Sequence, residues 1–306
     1  MSLILSAAPH IKTADTTQRL MLNVIIALLP CAIAGVLFFG VSAAIVMAVA
    51  VASAVAAEFI WQKLAKQKVR VADGSAALTG LLLALCISPM TPWWVVMIGS
   101  FFAIIVVKQL FGGVGDNFLN PALTARAVLL ASWPAYLTTH MAANGFADVV
   151  TSATPLASSF PTLNLFLGNV PGAIGETSKI AILIGLAYLL ITKTIRWEIP
   201  VFVVLSTMVT TLLLGGDPIM SVLTGGVLFG AVFMATDYVT SPMNRWAQIV
   251  YAIGIGVIIV VIRNFGDYPE GVTYAILLMN IAAPLLDRAL PSGKVYGHAK
   301  KKEAKA

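Results

Sequence analysis

Apolar residues run along this chain in continuous stretches, at roughly 20–39, 41–60, 75–90, 93–111, 118–133, 179–193, 198–215, 219–236, 246–263 and 271–289. They predict ten membrane-spanning helices. Several are shorter than the ~20 residues that cross a ~30 Å hydrocarbon core at 1.5 Å per residue. Short or broken helices are tolerated in a bilayer only where protein shields them, because lipid cannot satisfy free backbone groups. No small-residue cleavage site follows the run that begins at Leu20, so that run reads as a retained first helix and not as a signal peptide.

Composition agrees: of 306 residues, 59% are apolar and 10% charged. A soluble domain carries about one quarter charged residues. A cytosolic enzyme, a nucleic-acid module and a disordered chain are therefore excluded. The net charge of +6 reports orientation. With a cytoplasmic N-terminus, 16 of the 19 Lys and Arg residues fall on the cytoplasmic side, among them Lys63, Lys66, Lys68, Arg70, Arg196, Arg245 and the Lys-rich tail. Lys179 and Arg263 fall near the outer side and Arg126 within a span. Cys31 and Cys86 both lie in apolar runs, so this chain alone builds neither a disulfide framework nor a protein-ligated zinc or iron–sulfur site.

An internal echo organises the spans. Asp73-Gly-Ser-Ala-Ala-Leu78-Thr79-Gly80, then Ser88-Pro89, then Phe111-Gly112 is matched by Asp217 leading to Leu223-Thr224-Gly225, then Ser241-Pro242, then Phe265-Gly266. Each half then holds five spans, and an odd number inverts the second copy. The expected fold is an all-α integral membrane protein of about ten transmembrane helices in two inverted five-helix repeats, with short or broken helices. The expected divisions are a first repeat over 1–133, an extracytoplasmic loop over 134–178, a second repeat over 179–290 and a basic cytoplasmic tail over 291–306.

Asp217-Pro218, Asn120-Pro121 and Asp73-Gly74-Ser75 read as helix starts, each with a capping side chain. Helix N-termini in membrane proteins also gather anionic groups such as a phosphate or a flavin edge. Ionisable residues within or beside spans are Glu58, Asp73, Lys108, Asp116, Arg126, Asp217, Asp237, Arg263, Asp267 and Asp287. Each costs about 2.5–3.5 kcal/mol at a helix centre, so each should face protein or water. Arg126 is the best placed to meet a buried carboxylate or a cofactor. Asp73, Asp116, Asn120, Arg126, Asp217 and Asp237 form the candidate set for a second flavin site or an ion pathway.

Between Trp133-Pro134 and Lys179 lie about 45 residues without a sustained apolar period, a loop length that is usually functional. At its centre stands Asp148-Val-Val-Thr151-Ser152-Ala153-Thr154-Pro155-Leu156. This resembles the flavinylation motif Asp-x-x-(Ser/Thr)-Gly-Ala-(Ser/Thr), with Ser152 where the motif usually has glycine. Together with Phe111-Gly-Gly-Val-Gly-Asp116-Asn117-Phe-Leu-Asn120-Pro121-Ala122 and Ala235-Thr236-Asp237-Tyr238-Val239-Thr240-Ser241-Pro242, the chain resembles the D subunit family of the Rnf electron-transport complex, homologous to the B subunit of the sodium-translocating NADH:quinone reductase. The resemblance implies FMN joined through its phosphate to Thr154 by a flavin transferase, with Asp148 opening the motif. It also implies a non-covalent flavin, riboflavin being one form, and the A, B, C, E and G subunits as partners in a bacterial cytoplasmic membrane. The complex would couple electron transfer between ferredoxin and NAD to Na⁺ or H⁺ movement. No nucleotide fingerprint and no cysteine cluster occurs here, which assigns NADH oxidation and iron–sulfur ligation to partners. The rival readings are a secondary transporter or channel, and a scaffold without cofactor.

Overall fold

The computed structural model describes residues 16–141, 151–152, 162–266 and 271–290. Most of the described residues are helical. Its first part comprises α1 (Thr17–Leu64), α2 (Ser75–Leu85), α3 (Trp93–Phe111, π-helical over Phe102–Lys108), α4 (Pro121–Ser132) and α5 (Pro134–Thr138). After α6 (Thr162–Leu167) come α7 (Lys179–Ile191), α8 (Glu198–Leu213), α9 (Pro218–Leu223) and α10 (Val227–Phe229, running on as the π-helical Gly230–Met234). The last two are α11 (Arg245–Phe265) and α12 (Val272–Ala289). A two-residue strand pair joins β1 (His140–Met141) to β2 (Thr151–Ser152).

As a straight rod the 48 residues of α1 would extend about 72 Å. They do not, because Gly40 takes φ 67° and ψ −149°, a region open only to glycine. Thr17 and Gln18 line the same cavity as Glu58 and Gln62, so the chain reverses at Gly40 into limbs 17–39 and 41–64. On the first limb Leu22, Ile26, Leu29, Ile33 and Leu37 are exposed along one side, while Leu28, Cys31 and Gly35 face inward. An apolar helix face turned outward is the reverse of a soluble protein and suits a lipid solvent.

Among the described residues four helices, α1, α3, α11 and α12, are long and apolar enough to cross a membrane. α2, α4, α7 and α8 are shorter apolar helices of 10–17 residues. The expected run 75–90 is helical only to Leu85, and 219–236 is broken at Thr224 to Gly226. The short pieces are shielded as the backbone requires. α2 lies on α1 so closely that a Cβ at Gly80 would stand 2.6 Å from the Ala50 carbonyl oxygen. α4 packs against α2, α3 and α12.

The interrupted helix ends find partners from distant chain. Gly175 donates its N–H to the Leu85 carbonyl at 2.8 Å, and Ile174 donates to that of Ile87 at 3.2 Å. At α9, Arg263 donates from Nη1 to the Ser221 carbonyl (2.7 Å) and from Nη2 to that of Thr224 (2.9 Å). Orphan C-terminal carbonyls are thus met by protein where lipid could not. The loop expected to lack structure therefore contains α5, α6 and a segment that reaches the end of α2. The two Leu-Thr-Gly copies share one contact: Thr79 and Thr224 each donate to the carbonyl four residues back, at 3.0 and 2.7 Å. Their glycines differ in role, since Gly80 permits a helix contact while Gly225, at φ 62°, ends α9.

Candidate functional site

Side-chain chemistry concentrates where the limb starting at Thr17, α2, the end of α3 and the start of α4 meet the segment after α10. A cleft of about 780 Å³ of empty space, a figure that includes open solvent, lies there. Its apolar wall includes Met21, Val24, Leu78, Leu82, Val114 and Phe233. Ser75, Lys108, Asn117, Asn120, Thr236, Asp237 and Tyr238 supply polar groups. An apolar slot with a few polar groups at its edge is the usual form of a small-molecule site.

Each polar group is placed by local sequence. Asn120 caps α4, its Oδ1 accepting from the N–H groups of Ala122 (3.1 Å) and Leu123 (3.2 Å), with Pro121 fixing the first turn. Asn280 of α12 lies against it: with its amide oriented to satisfy the surrounding groups, its oxygen accepts from the Asn120 N–H and its nitrogen donates to the Tyr251 hydroxyl and the Ile276 carbonyl. Asp237 accepts from the Val239 N–H and the Thr240 hydroxyl, both at 3.2 Å. Burial nevertheless pushes its carboxyl above the ordinary value of 3.8, outweighing those hydrogen bonds. Burial, with Asp237 and Asp73 nearby, raises the Tyr238 phenol to about 12, which keeps it a hydrogen-bond donor at neutral pH.

Beside the cleft lies a second cavity, a polar vestibule of about 1390 Å³ of empty space that includes open solvent. Glu58, Gln62, Lys68, Arg70, Asp73 and Gln109 line it. The wall between the two holds a buried ion pair. Lys108 Nζ donates to Glu58 Oε1 at 2.8 Å, with both side chains no more than 4% exposed. Lys108 also donates to Ser75 Oγ (2.6 Å), which donates to Asp73 Oδ1 (2.7 Å). Gln109 Nε2 donates to the same Glu58 oxygen at 2.6 Å, and the buried Oε2 has no partner among the described residues. Lys108 closes the π-helical turn of α3, an irregularity frequent at functional sites.

The candidate residues thus separate. Asn120 and Asp237 line the cleft, and Asp73 lines the vestibule while holding Ser75 by its N–H and hydroxyl. Arg126 donates to Thr273 Oγ1 at 2.7 Å, tying α4 to α12. Asp116 is exposed in the loop after α3. Asp217 is an exposed cap, accepting from Ile219 and Met220 at the start of α9, and lines neither cavity. Of the segment that resembles a flavinylation motif, Thr151 and Ser152 form β2, paired in backbone with Met141 and His140. Asp148, Ala153 and Thr154 lie outside the described residues. The approach to that segment is fixed: Ser88 Oγ donates to the Thr139 carbonyl (2.6 Å), and Trp94 packs edge-on against Trp133 and Tyr136.

A model of the NQR2, RnfD, RnfE family matches residues 4–296. The chain belongs to this family. Among its relatives is the D subunit of the Na⁺-translocating ferredoxin:NAD⁺ oxidoreductase complex of Acetobacterium woodii, 49% identical across 100% of this chain and 99% of the relative. The D subunit of the proton-translocating ferredoxin:NAD⁺ oxidoreductase complex of Clostridium ljungdahlii is 40% identical over 93% of each. That of the ion-translocating oxidoreductase complex of Stutzerimonas stutzeri is 38% identical over 90% of each. In this family member the Glu58–Lys108 pair and Asn280 are site features that residue patterns alone do not reveal. Both charges stood out as costly within apolar runs, but no spacing rule joins residues 50 apart, and a neutral Asn280 carried no signal at all.

Proposed function

We propose that this chain is the D subunit of an ion-translocating ferredoxin:NAD⁺ oxidoreductase complex, with FMN esterified to Thr154, and that it relays electrons between flavins and iron–sulfur centres on partner subunits. The observation that carries this reading is likeness across the whole length to one chain of a ferredoxin:NAD⁺ oxidoreductase complex, joined to the motif from Asp148 to Thr154. The proposed architecture is ten membrane segments, five in each of two inverted halves, the limbs of α1 counting as two and α9 with α10 as one. The distribution of basic residues supports cytoplasmic termini and an outward flavin loop in this reading.

Thr154 supplies only the ester oxygen. The bound isoalloxazine supplies one-electron chemistry, while the chain sets where it sits. The residues that would hold a second, non-covalent flavin are those of the cleft. Its apolar wall suits a planar ring, and Asn117, Asn120, Thr236 and Asp237 offer donors and acceptors to the ring edge. A raised Asp237 carboxyl holds a proton more readily than an ordinary aspartate and can then donate.

The test is chemical. Expressed with its flavin transferase and denatured, the polypeptide should fluoresce as a flavin on a gel and carry the mass of one FMN less water. Thr154→Val should abolish both while the protein still inserts. An unmodified mass for the wild-type chain would sink the covalent-flavin reading and the relay in this form.

A further inference from the structure

We infer that Lys108 and Glu58 form a proton relay through the wall between vestibule and cleft, with Lys108 Nζ as the donor into the cleft and Ser75 holding it in place. The inference rests on the reading of the cleft as the seat of an electron carrier. Geometry supports it from both sides. Lys108 and Ser75 line the cleft, Glu58 and Asp73 line the vestibule, and hydrogen bonds of 2.6–2.8 Å connect all four.

The energetics favour function over structure. A buried ion pair seldom gains on well-packed apolar residues of the same volume. Ionisable groups inside membrane segments are expensive and generally face a pathway. A purely structural pair would also satisfy both carboxylate oxygens, yet Glu58 Oε2 is buried without a partner among the described residues. That oxygen is a free acceptor on a residue that borders the vestibule. Adding an electron inside a low-dielectric cleft is costly unless positive charge accompanies it, and Lys108 is the cation lining that cleft.

An N–H bond of Lys108 breaks, its electron pair stays on Nζ, and the proton enters the cleft. Glu58, protonated from vestibule water, returns a proton from its carboxyl to Nζ. The net change is one proton moved from vestibule to cleft, with the pair restored. The accompanying electron comes from the ferredoxin:NAD⁺ reaction of the complex. Other charged or titratable groups that face Lys108 are Asp73 behind Ser75, and Asp237 and Tyr238 across the cleft.

The test uses the assembled complex carrying Lys108→Ala, Glu58→Gln or the double variant. Acid-extractable flavin is measured first. Wild type that retains only covalent FMN would overturn the reading of the cleft, and the relay with it. Where extractable flavin is retained, Lys108→Ala should slow proton uptake on reduction, followed with a pH indicator, by about 10²-fold or more. Methylamine should restore uptake in Lys108→Ala, whereas a cation of similar size without an exchangeable proton, tetramethylammonium, should not. The double variant leaves no unpaired buried charge, so its fold is the safer background, and it should be equally slow. Wild-type proton uptake in Lys108→Ala or in the double variant, with extractable flavin retained, would overturn the relay alone.

Discussion

Removing one partner of the Glu58–Lys108 pair should cost far more than removing both. Lys108→Met deletes the ammonium and leaves a carboxylate that is 1% exposed, with Gln109 at 2.6 Å as its one remaining donor among the described residues. An unpaired buried charge destabilises by about 3–5 kcal/mol. At about 2–4 °C per kcal/mol for chains of 150–250 residues, the melting temperature should fall by roughly 6–20 °C. The double variant Glu58→Gln/Lys108→Met removes both charges, and Gln109 then faces a neutral amide. It should melt within a few degrees of wild type. Cys31 and Cys86 are both buried, so a thiol-reactive fluorogenic dye reports unfolding directly in detergent. The cycle reads the coupling between the two residues. If the double variant loses the sum of the two single losses, the pair has no coupling and the reasoning from a shared buried charge is wrong.

Three further outcomes follow from the site. Asn120→Ala removes a cap from α4 and should cost about 0.5–2 kcal/mol, and it should also empty the cleft of extractable flavin; Asp217→Ala should cost a similar amount with flavin content unchanged. Asp237 binds its proton more tightly folded than unfolded, so its contribution to stability is complete below the unfolded value near 3.8 and is lost as pH rises through the raised folded value. Asp237→Asn should flatten that part of a melting-temperature profile, and an unchanged slope would assign the pH dependence elsewhere. Gly80→Val places side-chain atoms where a Cβ would already stand 2.6 Å from the Ala50 carbonyl oxygen, and should abolish accumulation of folded protein in the membrane, measured by detergent-resistant yield.

What could be read in the sequence depended on how local the physics was. Asn120-Pro121 and Asp217-Pro218 declared their helix starts because capping acts across two or three residues, and the structure has both caps. The run 20–60 was divisible at Gly40 because one residue makes the turn. The interruptions in α2 and α9 were not legible, since they depend on Gly175 and Arg263 arriving from elsewhere to meet freed carbonyls. The candidate set divides for the same reason. Asp73, Asn120 and Asp237 converge near the cleft, while Asp116 and Asp217 point to solvent, and only tertiary folding separates the two groups.

The chemistry of the wall bears on ion coupling. The relatives at 49% and 40% identity are named for Na⁺ and proton translocation respectively, so full-length likeness extends to proteins named for either ion. A path through Lys108 is restricted by atom type: an ammonium has three donors and no lone pair for a cation, whereas hard cations need several oxygen ligands. The relay therefore carries protons under any coupling. In a sodium-driven complex those protons would serve the redox step alone, and Na⁺ would need a route built from oxygens, away from Nζ. The Lys108 step should accordingly be indifferent to Na⁺ even where turnover of the whole complex is not.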